Sequence, residues 1–223
     1  MQIFPFYIYI LFTTMFHSPE KKEPLTYLAL GDSYTIGEGV PLHESFPYQT
    51  VQLLRKEGLD VNAAEIVAKT GWTTDELESN IAKTHFKKTY DFVSLLIGVN
   101  NQYRGRSIDE YAFQFEELLK KSIKFAGNKH ENVFVISIPD WGATPFAEGR
   151  DRKKIASEID AFNSINKKIS EHFKVSYIEI TNGSREALNN GLLVTKDKLH
   201  PSALEYKKWA EKLSVAMLTS KEK

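Results

Sequence analysis

The chain is expected to fold as a three-layer α/β/α sandwich, with a flavodoxin-like, doubly wound sheet of five parallel strands. Three observations lead there. Short apolar runs that read as buried strands alternate with longer stretches of helical periodicity, repeated five times along the chain. Such alternation implies parallel strands joined by right-handed crossovers, with helices on both faces of the sheet. At 223 residues the chain is long enough for one sizeable domain and too short for the eight units of a closed barrel.

The elements follow in order. Tyr27 to Leu30 is an apolar run between Pro24 and Gly31-Asp32-Ser33, so it reads as a buried strand ending in a sharp turn. Ser45 to Glu57 is a helix stopped by Gly58, with Phe46, Val51, Leu53 and Leu54 on its apolar side. Glu65 to Lys69 is the second strand, followed by Thr70-Gly71-Trp72. Thr73 and Glu76 have capping-box spacing and open a helix to about Lys83. Asp91 to Gly98 is nearly continuous in apolar residues, as a strand covered on both faces should be, and Gly98-Val99-Asn100-Asn101 ends it. Ser107 and Glu110 repeat the capping-box spacing before a long helix to about Ala126. Asn132 to Ile138 is the fourth strand, closed by Pro139-Asp140 and a loop rich in Trp141, Gly142 and Pro145. Arg152 to Phe173 is a helix, and Val175 to Ile180 the fifth strand. Ser202 and Glu205 make a third capping-box spacing, for a terminal helix that turns Tyr206, Trp209, Leu213 and Met217 inward.

Composition narrows the function classes. The apolar fraction of 42% and charged fraction of 26% are those of an ordinary globular protein. With 29 basic residues against 29 acidic ones and no long basic stripe, nucleic acid is not an expected partner. The absence of cysteine removes disulfides, thiolate catalysis and cysteine-based zinc sites. His17, His43, His85, His130 and His172 have no partner at ligand spacing, so each reads as solvated or locally bonded and no metal is expected.

Residues 1–24 stand apart from the single domain expected over 25–223. Ile3 to Phe16 is almost wholly apolar and precedes a polar linker, His17 to Pro24. The run is short of the ~20 residues that span a bilayer and closer to a signal-peptide core, yet no Lys or Arg precedes it. Two readings stay open. As a signal or membrane tether it would place the protein in the periplasm or at a membrane; as a mis-assigned start it would leave the chain cytoplasmic.

Four loops at the carboxyl ends of strands share one rim of the expected sheet, where α/β proteins bind ligands. They carry Ser33, Gly71, Asn100, and the pair Asp197 and His200. Acyl transfer from a serine needs a base near the hydroxyl, a group that holds the base's tautomer, and donors for the developing oxyanion. His200 can be the base, and Asp197, three residues earlier, can fold back onto its other ring nitrogen. The Ser33 and Gly71 amides with the Asn100 side chain can form the oxyanion hole. Taken singly, each of these residues also reads as an ordinary turn, cap or surface position. Four signals in one order at successive rim positions favour the catalytic reading. Tyr34, Asn101, Tyr103, Arg104, Asp140 and Trp141 are candidates to line the substrate site, while Asp32 is expected to stabilise its turn through the carboxylate.

These blocks resemble those of the SGNH hydrolases, the GDSL esterase/lipase family: Gly31-Asp32-Ser33, Gly71, Gly98-Val99-Asn100-Asn101 and Asp197-Lys198-Leu199-His200, in the family's order over about residues 25–218. The resemblance implies Ser33 as nucleophile, His200 as general base and acid, Asp197 as its orienter, and an oxyanion hole from Ser33, Gly71 and Asn100. It also implies hydrolysis of a small-molecule ester without a cofactor. The family's third block usually ends in Asp, where this chain has Asn101; the oxyanion residue before it is intact, so the departure bears on fine positioning.

The expected activity is cleavage of a carboxylic ester or thioester, leaning toward the lysophospholipase/thioesterase branch. Removal of O-acetyl groups from sugars is the close rival. The rival from another class is a non-catalytic module that binds a phosphate-bearing ligand on the same rim. A phosphate cradle wants glycines and hydroxyls leading into a helix start, and Gly31-Asp32-Ser33 places a carboxylate there instead.

Overall fold

A computed structural model describes residues 23–221, so the segment 1–24 falls almost wholly outside the described residues. The sheet has five parallel strands in the order β2-β1-β3-β4-β5: β1 (Tyr27–Asp32), β2 (Glu65–Lys69), β3 (Phe92–Leu96), β4 (Val133–Ile136) and β5 (Ser176–Ile178). The predicted doubly wound sandwich is therefore the observed one. Right-handed crossovers that step one way from β1 to β2 and the other way afterwards put successive helices on opposite faces. Helix α2 (Phe46–Lys56) packs against the terminal helix α8 (Ala203–Lys221), which follows the one-turn α7 (Thr181–Ser184). Helices α3 (Thr74–Ile81), α5 (Ile108–Phe125) and α6 (Arg152–His172) pack in a row.

Apolar side chains of both sheet faces form the core, with Leu28, Leu30, Phe92 and Phe134 fully buried. Within it the Tyr27 hydroxyl meets Ser94 Oγ at 2.7 Å, so the phenol crosses from β1 to β3 without an orphaned oxygen. The point where the strand order reverses lies between β1 and β3, and the short helical turns that follow these two strands carry Ser33 and Asn100. The fold thus opens a crevice at its switch point, where α/β sheets hold ligands.

Two local expectations are corrected. Gly98 to Asn101 does more than end a strand: it leads into a short helix, α4 (Val99–Tyr103). No capping box forms at Ser202 and Glu205. The Ser202 hydroxyl donates to the Leu192 carbonyl, and the buried Glu205 carboxylate accepts from the Trp209 indole at 2.9 Å. Tertiary and i,i+4 partners take both side chains that a cap would have used. At Thr73 and Glu76, by contrast, both halves of the capping box are present.

Candidate active site

The site is built outward from Gly31. A Cβ there would sit 2.4 Å from the Leu96 carbonyl and 2.1 Å from Thr35 Oγ1, so only glycine lets the first turn after β1 lie this close to β3. The strand runs on to Asp32, whose carboxylate accepts from the Tyr34 amide at 3.0 Å and starts the short helix α1 (Ser33–Ile36). Ser33 is its first residue, so its own amide is among those a helix start leaves without an intrahelical acceptor.

Asp32 is 1% exposed, and burial raises its carboxyl from 3.8 to about 7, against the pull of the Tyr34 amide. Its Oδ2 has no hydrogen-bond partner among the described residues. Below the unfolded value both states are protonated and the site costs nothing. As pH rises toward 7 the unfolded chain ionises first, so the protein loses stability across that window. Asp32→Asn keeps an acceptor for the Tyr34 amide and removes the charge. Its melting temperature relative to the parent protein should therefore rise between pH 4 and pH 8, and a difference that stays flat across this range would contradict the assignment.

His200 is buried, and its Nδ1 lies 2.7 Å from Asp197 Oδ2. Partial burial alone would raise the Asp197 carboxyl. Hydrogen bonds from His200, from the Thr195 hydroxyl and from the Leu199 and His200 amides outweigh it and hold the group at about 2. An ionised Asp197 can only accept, so Nδ1 carries a proton; in the neutral imidazole this tautomer leaves the Nε2 lone pair as the acceptor. The expected fold-back of Asp197 onto the imidazole is thus the observed geometry.

Asn100, at the start of α4, donates from Nδ2 to the Trp72 carbonyl at 3.0 Å, which fixes the amide and leaves its second N–H free. Gly71 has φ of +85°, a backbone that other residues rarely adopt, and its carbonyl accepts from Arg104 at 2.6 Å. Ser33, Gly71, Asn100 and His200 line one cavity of about 210 Å³. Among the described residues no hydrogen bond forms between the Ser33 hydroxyl and His200, although both face this space.

Of the expected lining residues, Tyr34, Tyr103 and Trp141 are in the cavity wall, and Arg104 stands beside it on Gly71. Asn101 is not. It is fully buried beneath the rim, where Oδ1 accepts from the Thr74 amide and Nδ2 donates to the Thr74 hydroxyl, so its amide anchors α3 to α4. Asp140 is not in the wall either: its carboxylate accepts from the Gly142 amide and pairs with Arg185 at 2.9 Å. Thr70, Val99, Phe146 and Leu199 complete the wall. Thr70, Val99 and Leu199 adjoin Gly71, Asn100 and His200 in sequence, which was the signal available for them; Phe146 lies five residues past Trp141 in the same loop.

A family model described as the GDSL-like lipase/acylhydrolase family matches residues 29–208. The chain belongs to that family. Among solved structures, this GDSL-family chain is similar to TesA, with 17% identity and a TM-score of 0.66 over 87% of this chain and 99% of that one. It also resembles the esterase EstA from Pseudoalteromonas sp., in a structure inhibited by monoethylphosphonate, with 16% identity, a TM-score of 0.65, and 89% and 99% of the two chains covered. The acetylxylan esterase Axe2 from Geobacillus stearothermophilus matches with 18% identity and a TM-score of 0.64 over 88% and 93%. At these identities the likeness establishes a shared fold. No curated protein matches the sequence.

Proposed function

We propose that this GDSL-family chain hydrolyses short-chain carboxylic esters through an acyl-enzyme on Ser33. The observation that carries the reading is the Asp197–His200 pair, 2.7 Å apart, whose imidazole faces the cavity lined by Ser33. His200 Nε2 takes the Ser33 proton as Oγ attacks the ester carbonyl carbon. The oxyanion accepts from the Ser33 and Gly71 amides and from Asn100 Nδ2. As the intermediate collapses, the imidazolium gives its proton to the departing alkoxide; water, deprotonated by the same nitrogen, then releases the acid. Catalytic hydrogen bonds often tighten only when substrate is bound, so the open Ser33–His200 contact is compatible with this sequence.

The substrate follows from the cavity. About 210 Å³ lies below the ~300–1,000 Å³ of pockets for drug-sized ligands, and its wall is largely aromatic and aliphatic. That favours a short acyl group over a long lysophospholipid chain, which would have to leave the cavity. O-acetyl sugars are the second reading: an acetyl group fits the volume, and Axe2 is similar in fold. The Pseudoalteromonas esterase was trapped with a phosphonate, which suggests the test. A fluorophosphonate should label this protein at Ser33, with labelling abolished in Ser33→Ala and suppressed in His200→Ala. Labelling elsewhere, or unchanged in either variant, would refute the nucleophile. In an acyl-chain series, turnover should fall once the chain outgrows the cavity.

A further inference from the structure

One cation beside this cavity is held in an unusual way. The Arg150 guanidinium carbon lies 5.5 Å from the Tyr103 ring, 5.3 Å from Trp141 and 5.2 Å from Phe146. All three rings are walls of the cavity that holds Ser33. They are also mutually packed, edge to face, with Trp141 5.2 Å from Tyr103 and 6.1 Å from Phe146. Two of the three residues are anchored by hydrogen bonds. The Trp141 indole donates to Gln102 at 2.8 Å, and the Phe146 amide donates to the Lys198 carbonyl in the loop that carries Asp197 and His200.

Three arginines of the nearby loops and helices are neutralised, whereas Arg152, like Arg150, has no ion pair among the described residues and instead donates to the Gly142 carbonyl. Arg104 pairs with Glu76, Arg106 with Asp75 and Glu110, and Arg185 with Asp140 and Asp160. Arg150 has no carboxylate within ion-pair distance among the described residues; its side-chain polar contact is the Tyr103 hydroxyl at 3.4 Å. Stacking on aromatic faces orients a guanidinium without consuming its N–H donors, and those donors match carboxylate and phosphate geometry. Arg150 is exposed and stands over the rings of three lining residues without itself lining the cavity, so a planar, oriented and unneutralised cation sits beside the largely apolar part of the wall, suited to one kind of group.

We propose that Arg150 recognises an anionic group on the substrate, so that the preferred esters carry a carboxylate or phosphate a few bonds from the scissile carbonyl. The proposal deepens the esterase reading and rests on it. Arg150 acts on binding and takes no part in the proton transfers.

The test compares matched pairs of esters by pH-stat. Methyl hydrogen glutarate against methyl valerate places the charge on the acyl side; 1-butyrylglycerol 3-phosphate against 1-butyrylglycerol places a phosphate on the alcohol side. At least one anionic ester should exceed its neutral partner in kcat/KM by about tenfold, the worth of one charge-assisted contact, and the margin should shrink with added salt. The arm that shows it tells which source of charge is read. In Arg150→Gln the preference should collapse toward unity through KM, with kcat on the neutral ester unchanged, while Arg150→Lys keeps part of it. Equal rates in both arms for the parent protein would overturn the proposal. So would an Arg150→Gln variant that loses the neutral and anionic esters alike, which would make Arg150 a cover for the rings. If the parent protein turns over no ester at all, the esterase reading itself fails. Quenching of tryptophan fluorescence by glutarate and by glycerol 3-phosphate then tests the anion site alone: binding lost in Arg150→Gln sustains it, and no binding or equal binding ends it.

Discussion

His200→Ala is expected to lower kcat on a short-chain aryl ester by roughly 10⁴–10⁶-fold, the range seen when one member of a serine relay is removed. Without the imidazole nothing in the cavity takes the Ser33 proton, and an alcohol is a poor nucleophile until a base does so. Folding should survive. The loop's shape comes from bonds that alanine keeps: the Thr195 amide to the carbonyl of residue 200, and the amide of residue 200 to the Asp197 carboxylate. Ser33→Ala should cost about as much, and the double variant no more than either single one, since the two groups act as a unit. Multiplicative losses in the double variant, or a His200→Ala enzyme within tenfold of the parent and equally stable, would remove His200 from the reaction.

Asn100→Ala should cost roughly 10²–10³-fold in kcat, with KM little changed, because the lost donor acts on a charge that exists only in the transition state. The geometry makes this a clean probe. The Asn100 amide is held by the Trp72 carbonyl at 3.0 Å, and this residue is only half buried, so water can satisfy the carbonyl once the side chain is gone. Melting temperature should therefore move little. A loss expressed in KM alone would point to a ground-state contact, and unchanged turnover would assign the oxyanion to other donors.

Much of the architecture was legible because the signals for it are local and periodic. Nearly continuous apolar runs such as Asp91 to Gly98 mark strands buried on both faces, and the alternation of strands with helices left one economical topology. The Asp197–His200 contact was legible too, because three residues of loop bring the two side chains within reach whatever surrounds them. Side-chain direction was less accessible. Asn100 and Asn101 are adjacent and chemically identical, yet α4 turns by about 100° between them, so one points into the cavity and the other into the Thr74 anchor. Asp140 looked like a rim residue, yet its carboxylate is taken by Arg185, 45 positions later, and does not line the cavity. Ser202 and Glu205 have the spacing of a cap, but Leu192 and Trp209 offered better partners.

By itself, then, the order of residues determined the strand–helix succession, the rim on which Ser33, Gly71, Asn100 and His200 lie, and the family to which such blocks belong. Only the tertiary structure decided the size of the cavity, which of two asparagines faces it, and that Arg150 stands unneutralised over three of its walls. The division is physical. Periodicity and short-range spacing act within a few residues, where chain geometry leaves few alternatives. Cavity volume and the pairing of charges depend on which surfaces meet after distant segments have packed, and no window of sequence contains both partners.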